Sequence, residues 1–278
     1  MYPMLAPVLF GLAASLCWGS GDFSGGLASR RASPSSVIII AYTVGFFLLV
    51  GLALIWHEPF PSSRDLLWGA LAGVAGGLGL LSFYSALSRG QMGIAAPVSA
   101  MLTATIPVLF STFTAGLPNL IQVAGFILAL LAIGLISGSR QANRPSKGIG
   151  LALLAGCGFG CFFVLISRVS PGATFWPLAT ARLTSILLLF VVAVIRTSRL
   201  PSMRVEPLMI LAGILDALGN TFFVLAAHSG RLDVAAMLSS LYPAATVILA
   251  ALILRERVTR IQGWGIAIAL VAVPMIVV

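Results

Sequence analysis

Four ionisable side chains stand inside or at the edge of long apolar stretches of this 278-residue chain: Asp22, Arg182, Asp216 and, less deeply, His228. An ionised group in hydrocarbon costs about 2.5–3.5 kcal/mol even on insertion scales, so a group retained there is by default functional. Arg182 is too deep in its stretch to reach an interface easily. It is expected to face other helices and to pair with Asp22, Asp216 or an anionic solute, and the bland alternative is an ion pair that only ties helices together. Ser15, Trp18 and Asp22 follow one another at spacings of three and four and so share a helical face. An indole beside a carboxylate could stack and neutralise an organic cation or amine, or Trp18 could be an interfacial anchor. Asp216 and Asn220 likewise share a face. Carboxylates in such a place could also carry protons, which leaves proton coupling open.

Weaker polar candidates accompany these. Tyr84 and Ser88 occupy one face of their stretch, and further along lie Ser99 with Thr103, then Ser239, Tyr242 and Pro243. Hydroxyls in spans often only bond a backbone carbonyl, and Pro97, Pro107, Pro177 and Pro243 either free carbonyls toward a cavity or merely kink packed helices. Glycines spaced by four, such as Gly69, Gly73 and Gly77, read as close helix packing. No phosphate loop, nucleophile elbow or zinc-binding helix motif occurs, so no cofactor is expected and nucleotide hydrolysis cannot drive the chain. Cys17, Cys157 and Cys161 are odd in number, without zinc spacing, and read as buried packing residues.

The elements that hold these residues must be membrane helices. Charged residues are 8%, hydrophobic ones 59%, and mean hydropathy is +1.09, whereas a soluble domain carries roughly a quarter charged residues. The expected solvent is a lipid bilayer. A net charge of +9 can point to nucleic acid, but these basic residues lie in short gaps between apolar runs, so nucleic acid is excluded as a partner. Ten segments reach the span of about 20 apolar residues that crosses a bilayer: 5–28, 36–56, 66–88, 91–115, 119–137, 148–167, 173–196, 207–228, 231–254 and 260–278. The first is expected to be a retained span and not a signal peptide.

Sliding the chain on itself until position 71 meets position 211 aligns Leu71-Ala72-Gly73 with Leu211-Ala212-Gly213. The same shift pairs Gly79 with Gly219, Ser99 with Ser239, Ile121-Gln122 with Ile261-Gln262, and Ser88 with His228. It sets Asp216 and Asn220 against Gly76 and Leu80, so polarity is concentrated in one copy. The first span matches the sixth less cleanly, at a shift nearer 139. The expected fold is all-α, ten transmembrane helices in two five-helix repeats, 1–138 and 148–278, around a cytoplasmic linker 139–147. An odd span number inverts the second copy. One set of gaps holds Arg30, Arg31, Arg89, Arg140, Arg144, Lys147, Arg196, Arg199, Arg204, Arg255, Arg257 and Arg260; the other holds only Arg64, Arg168 and Arg231. The positive-inside bias then places both termini outside.

Several of these pieces resemble the drug/metabolite transporter superfamily in its ten-span EamA form. They are Trp18-Gly19-Ser20, Phe83 to Leu87 leading to Gly90 and Ala95-Ala96, then Ala226 to Gly230 with Leu241-Tyr242-Pro243. Arg255-Glu256-Arg257-Val258-Thr259 with Gln262 and Gly265 completes the set. Arg182 sits where many members carry an arginine. Departures are Gly116 in place of the first repeat's glutamate, Pro107 one turn late, and Tyr42 where an arginine is expected opposite Arg182. The resemblance implies a central cavity lined by spans 1, 3, 4, 6, 8 and 9, alternating access, and frequent export of amino acids or related metabolites. The expected activity is secondary transport of a small polar or amphipathic solute, by a monomer or homodimer in a bacterial inner membrane. Its solute-binding residues would be Trp18, Asp22, Tyr42, Tyr84, Ser88, Ser99, Arg182, Asp216, Asn220, His228, Ser239 and Tyr242. The rival readings are an intramembrane lipid-modifying enzyme and a non-transporting scaffold.

Overall fold

Capping chemistry decides where the helices of the computed structural model begin. It describes residues 5–88, 92–137, 149–197 and 205–277. In order these form α1 (Leu5–Ala28), α2 (Pro34–Ile55), α3 (Ser63–Ser88), α4 (Met92–Ala115), α5 (Leu120–Ser137), α6 (Ile149–Ile166), α7 (Phe175–Thr197), α8 (Pro207–Ser229), α9 (Leu232–Ser239), α10 (Tyr242–Ile253) and α11 (Arg260–Val277). Ser33 caps α2 by accepting the Ser36 N–H at 3.2 Å, with Pro34 in the first turn. Asn119 and Gln122 cap α5 reciprocally: Asn119 Oδ1 accepts the Gln122 N–H at 2.8 Å and Gln122 Oε1 accepts the Asn119 N–H at 3.2 Å. At the start of α11, Thr259 and Gln262 form the same capping box at the equivalent positions of the second copy. Each satisfies two orphan donors at once, which is the physical reason the repeat retains that glutamine.

The ninth span is broken. Pro243, in the first turn of α10, has no N–H to continue the helix, and Ser240 and Leu241 separate α9 from α10. Pro97 and Pro107 leave α4 continuous. Among the described residues, nine helical stretches are long and apolar enough to cross a membrane, with α9–α10 counted as one. The 24-residue α1 is long enough too, but its polar run from Trp18 to Asp22 dilutes its hydropathy. Large apolar side chains cover the outside, among them Leu16, Phe47, Phe113, Leu120 and Trp264. An aqueous exterior would penalise such a surface; lipid does not. Cys157 and Cys161 belong to this exposed surface and Cys17 is half-buried, so the expectation of three buried packing cysteines is corrected.

Packing between the two repeats follows a two-fold exchange. The pair α1–α8 has its mate in α6–α3, α2–α8 in α7–α3, and α1 against α9 and α10 in α6–α4, while α2–α7 and α5–α11 map onto themselves. Contacts reproduce this residue by residue. A Cβ on Gly73 would strike the Ala181 backbone, and one on Gly213 would strike that of Ala41, the same contact with the two copies swapped. For α1 and α6 the exchange runs at 141, not the expected 139. Gly219 abuts Trp18 as Gly79 abuts Phe159, Gly21 lies by Asp216 as Phe162 lies by Gly76, and Gly19 lies by Thr246 as Gly160 lies by Ile106. Several glycines per helix let either register look plausible in sequence alone; only the neighbours separate them.

Candidate functional site

At the seam between the repeats lies a cavity of about 180 Å³, lined by residues of eight helices. Space for one water takes about 10–15 Å³ on this measure, so the volume corresponds to on the order of ten waters, or a solute of one ring with a short chain. Five pairs of positions related by the two-fold exchange face it: Trp18 and Phe159, Asp22 and Phe163, Tyr42 and Arg182, Gly76 and Asp216, Leu80 and Asn220. The cavity therefore sits on the exchange axis. Its two sides share geometry but not chemistry: α1 and α8 present Asp22, Asp216 and Asn220, whereas α6 and α3 present phenylalanines, glycine and leucine.

Arg182, 7% exposed, forms an ion pair with Asp216. Its guanidinium also lies over the Tyr42 ring, 4.2 Å from the centroid, a cation–π contact between two exchange-related positions. Tyr42 thus occupies the place opposite Arg182 without repelling it, as a second guanidinium would. Asn220 Nδ2 donates to the Asp216 carbonyl at 2.6 Å, which fixes the carboxamide against the carboxylate. Ser185 Oγ donates to the Gly73 carbonyl at 2.8 Å and pins α7 to α3. Trp18 is held by rings: parallel to Phe163 with centroids 5.3 Å apart, and edge-on to Tyr242 at 6.5 Å. Asp22 differs from all of these. It faces the cavity and is exposed to it, and no hydrogen bond or ion pair holds it among the described residues.

Exposure rises toward one face of the bundle. Along α1 it goes from buried Ser15 through Trp18 to exposed Asp22, and the lining residues of α6 and α8 grade in the same direction. We name this the lower face; it carries the α1–α2 and α10–α11 connections. Toward the opposite, upper face the bundle is shut. Phe163 stacks on Phe223 at 4.2 Å, and α9 is buried from Asp233 to Ser239. Loops interlock above these rings. The Glu58 carboxylate accepts the N–H groups of Thr174, Phe175 and Trp176 at 3.1, 2.9 and 3.2 Å, satisfying the open end of α7 with negative charge. Asp65 Oδ1 accepts the Ser170 N–H at 2.8 Å. Arg231 donates to Asp233 at 2.7 Å and to the Gly116 carbonyl at 3.0 Å, and the bonds to Asp233 push the Arg231 pKa up. At the lower face the described ion pair is the exposed Arg30–Glu256, at 3.6 Å.

Of the sequence-derived candidates, Trp18, Asp22, Tyr42, Arg182, Asp216, Asn220 and Tyr242 converge on the cavity. Three others lie outside its lining. Ser239 is fully buried and donates to the Gly11 carbonyl at 3.4 Å. Ser99 is buried where α4 meets Gly156. His228 ends α8 near the upper face. The side chains of Tyr84 and Ser88 fall outside the described residues. Sequence reasoning missed Phe159, Phe162 and Phe163, and it left Thr103, Ser185, Gly76 and Leu80 out of its site. Spans 2 and 7 line the cavity in addition to the six expected.

The chain belongs to the EamA-like transporter family, whose model matches it twice, over residues 5–138 and 146–278. It is thereby a multi-pass integral membrane protein of the drug/metabolite transporter superfamily. A solved crystal structure superposes with a TM-score of 0.73 over 97% of this chain and 95% of its own, at 18% identity, which speaks for the fold alone. No curated protein matches the sequence.

Proposed function

We propose that this protein is a secondary active transporter that exports a small polar or amphipathic organic solute by alternating access. One observation carries the reading: a polar cavity of solute size sits on the axis that exchanges the two repeats. A cavity on such an axis can be exposed to either face by rocking one repeat against the other, with little change in the site itself. The arginine count makes the lower face cytoplasmic, so this conformation accepts solute from inside while the rings and loops of the upper face exclude the outside. Arg182 and Asp216 form the fixed polar floor, and Asp22 is the carboxylate free to engage a solute or a coupled proton.

Counterflow in proteoliposomes, with a panel of amino acids, nucleosides and cationic drugs, tests the proposal. Saturable exchange of at least one solute, lost in Arg182→Ala, is expected. Folded protein without flux for any solute would favour the scaffold. A cysteine introduced as Gln141→Cys should be labelled only from the cytoplasm, and labelling from outside would reverse the orientation.

A further inference from the structure

The charges around the cavity do not balance, and their imbalance has a direction. Two carboxylates and one guanidinium line it. The guanidinium is committed twice, to the Asp216 carboxylate and to the Tyr42 ring, and little of it is exposed. Asp22 is the acidic group left facing the space, on the same side of the cavity as Asp216. A solute carboxylate entering here would meet two anions, and to reach Arg182 it would have to displace Asp216. A neutral solute would leave Asp22 dehydrated, so that a proton would have to accompany it. A cation resolves both problems.

The exchange-related walls add a shape to that charge. Opposite Asp22 across the axis stands Phe163, with Phe159 and Phe162 beside it, and Gly76 leaves the room that the Phe162 ring occupies. One wall is thus acidic, with Asp22 toward the lower face, and the other aromatic, with Phe163 toward the upper. Ring faces attract cations through their quadrupole and accept apolar surface equally well. Resting on the reading of this cavity as a solute site, we propose that it selects a monovalent organic cation. The protonated amine or quaternary ammonium pairs with Asp22, and a single-ring or short-chain apolar body lies against Phe159 and Phe162. The about 180 Å³ of space suits a body of that size.

Binding to the purified full-length protein in nanodiscs decides this without any need for transport. The probes are phenethylamine, benzyltrimethylammonium, phenylalanine and phenylacetate, read by calorimetry at neutral pH. Phenethylamine and phenylalanine differ by one carboxylate. The amine and the quaternary ammonium are expected to bind at least tenfold more tightly than phenylalanine, with phenylacetate weakest. Asp22→Asn should weaken the two cations tenfold or more, and Asp22→Glu should restore most of that loss. The wild-type probe series stands even where a variant fails to fold. Phenylalanine or phenylacetate binding more tightly than the amine, no binding of any probe at millimolar concentration, or cation affinity indifferent to Asp22→Asn would each overturn the proposal. Cation binding without flux in proteoliposomes would instead end the transport reading and leave this one standing. Flux of an anionic solute without cation binding would do the reverse.

Discussion

Replacing Glu58 by alanine should open the upper face without touching the cavity. In the closed arrangement its carboxylate takes three successive N–H groups at the start of α7, and its own carbonyl accepts the Trp176 Nε1–H at 3.2 Å. Loss of a helix cap costs about 0.5–2 kcal/mol, and the charge at the helix's positive end about 0.3–1 kcal/mol more. Water can reach part of this half-buried site, so the two contributions together give a net loss of about 2 kcal/mol. If rocking separates α7 from the α2–α3 loop, that loss falls only on the closed state. At about 1.36 kcal/mol per tenfold, an upper-open population that is rare in the parent should rise about 30-fold. The assay is the labelling rate of Asn220→Cys by a membrane-impermeant maleimide from the upper side, with Cys17, Cys157 and Cys161 replaced by serine. A rate unchanged by Glu58→Ala, with thermal stability lowered by that same amount, would refute the reasoning. Glu58 would then hold a loop in every state.

Arg182→Met should destabilise the protein by about 3–5 kcal/mol, because it strands the Asp216 carboxylate; the double change with Asp216→Leu should recover most of that loss in thermal unfolding. Gly73→Val and Gly213→Val should be equally damaging, since each added side chain meets exchange-related backbone at Ala181 or Ala41; monodisperse yield in detergent measures this, and a large difference would weaken the two-fold exchange. Arg231→Ala should raise upper-side labelling of Asn220→Cys less than Glu58→Ala does, because its bonds to the α4–α5 loop are exposed and exposed ionic contacts contribute about 1 kcal/mol or less.

The span count and the duplication were legible because lipid imposes them: every span must be about 20 apolar residues long, and a repeat keeps the capping and close-approach residues its packing needs. Gln122 and Gln262 are matched for the first reason, Gly73 and Gly213 for the second. The convergence of Asp22, Arg182 and Asp216 could be anticipated from the cost of placing charge in hydrocarbon. Hydroxyls carry no such cost. Ser239 and Ser99 are as polar as Tyr242 in composition terms, yet they settle in packed contacts between helices, and nothing in their spacing distinguishes the two fates.

The aromatic wall was hidden for the opposite reason. A phenylalanine in an apolar span suits lipid, core or cavity alike, so Phe159, Phe162 and Phe163 gave no contrast against α6. They become legible only through the exchange: once Trp18 is known to map onto Phe159 and Asp22 onto Phe163, the face of α6 that turns to the cavity is fixed. The wrong register for that pair, 139 in place of 141, turned the relevant face of α6 away from the axis. It follows that divergence between the copies, not their likeness, built the site. The exchange supplies two matched walls and a rocking axis. On the proposed reading, a carboxylate in one wall and a ring in its mate would give a solute a fixed orientation between them, so that its charged end would meet the same wall whichever face is open.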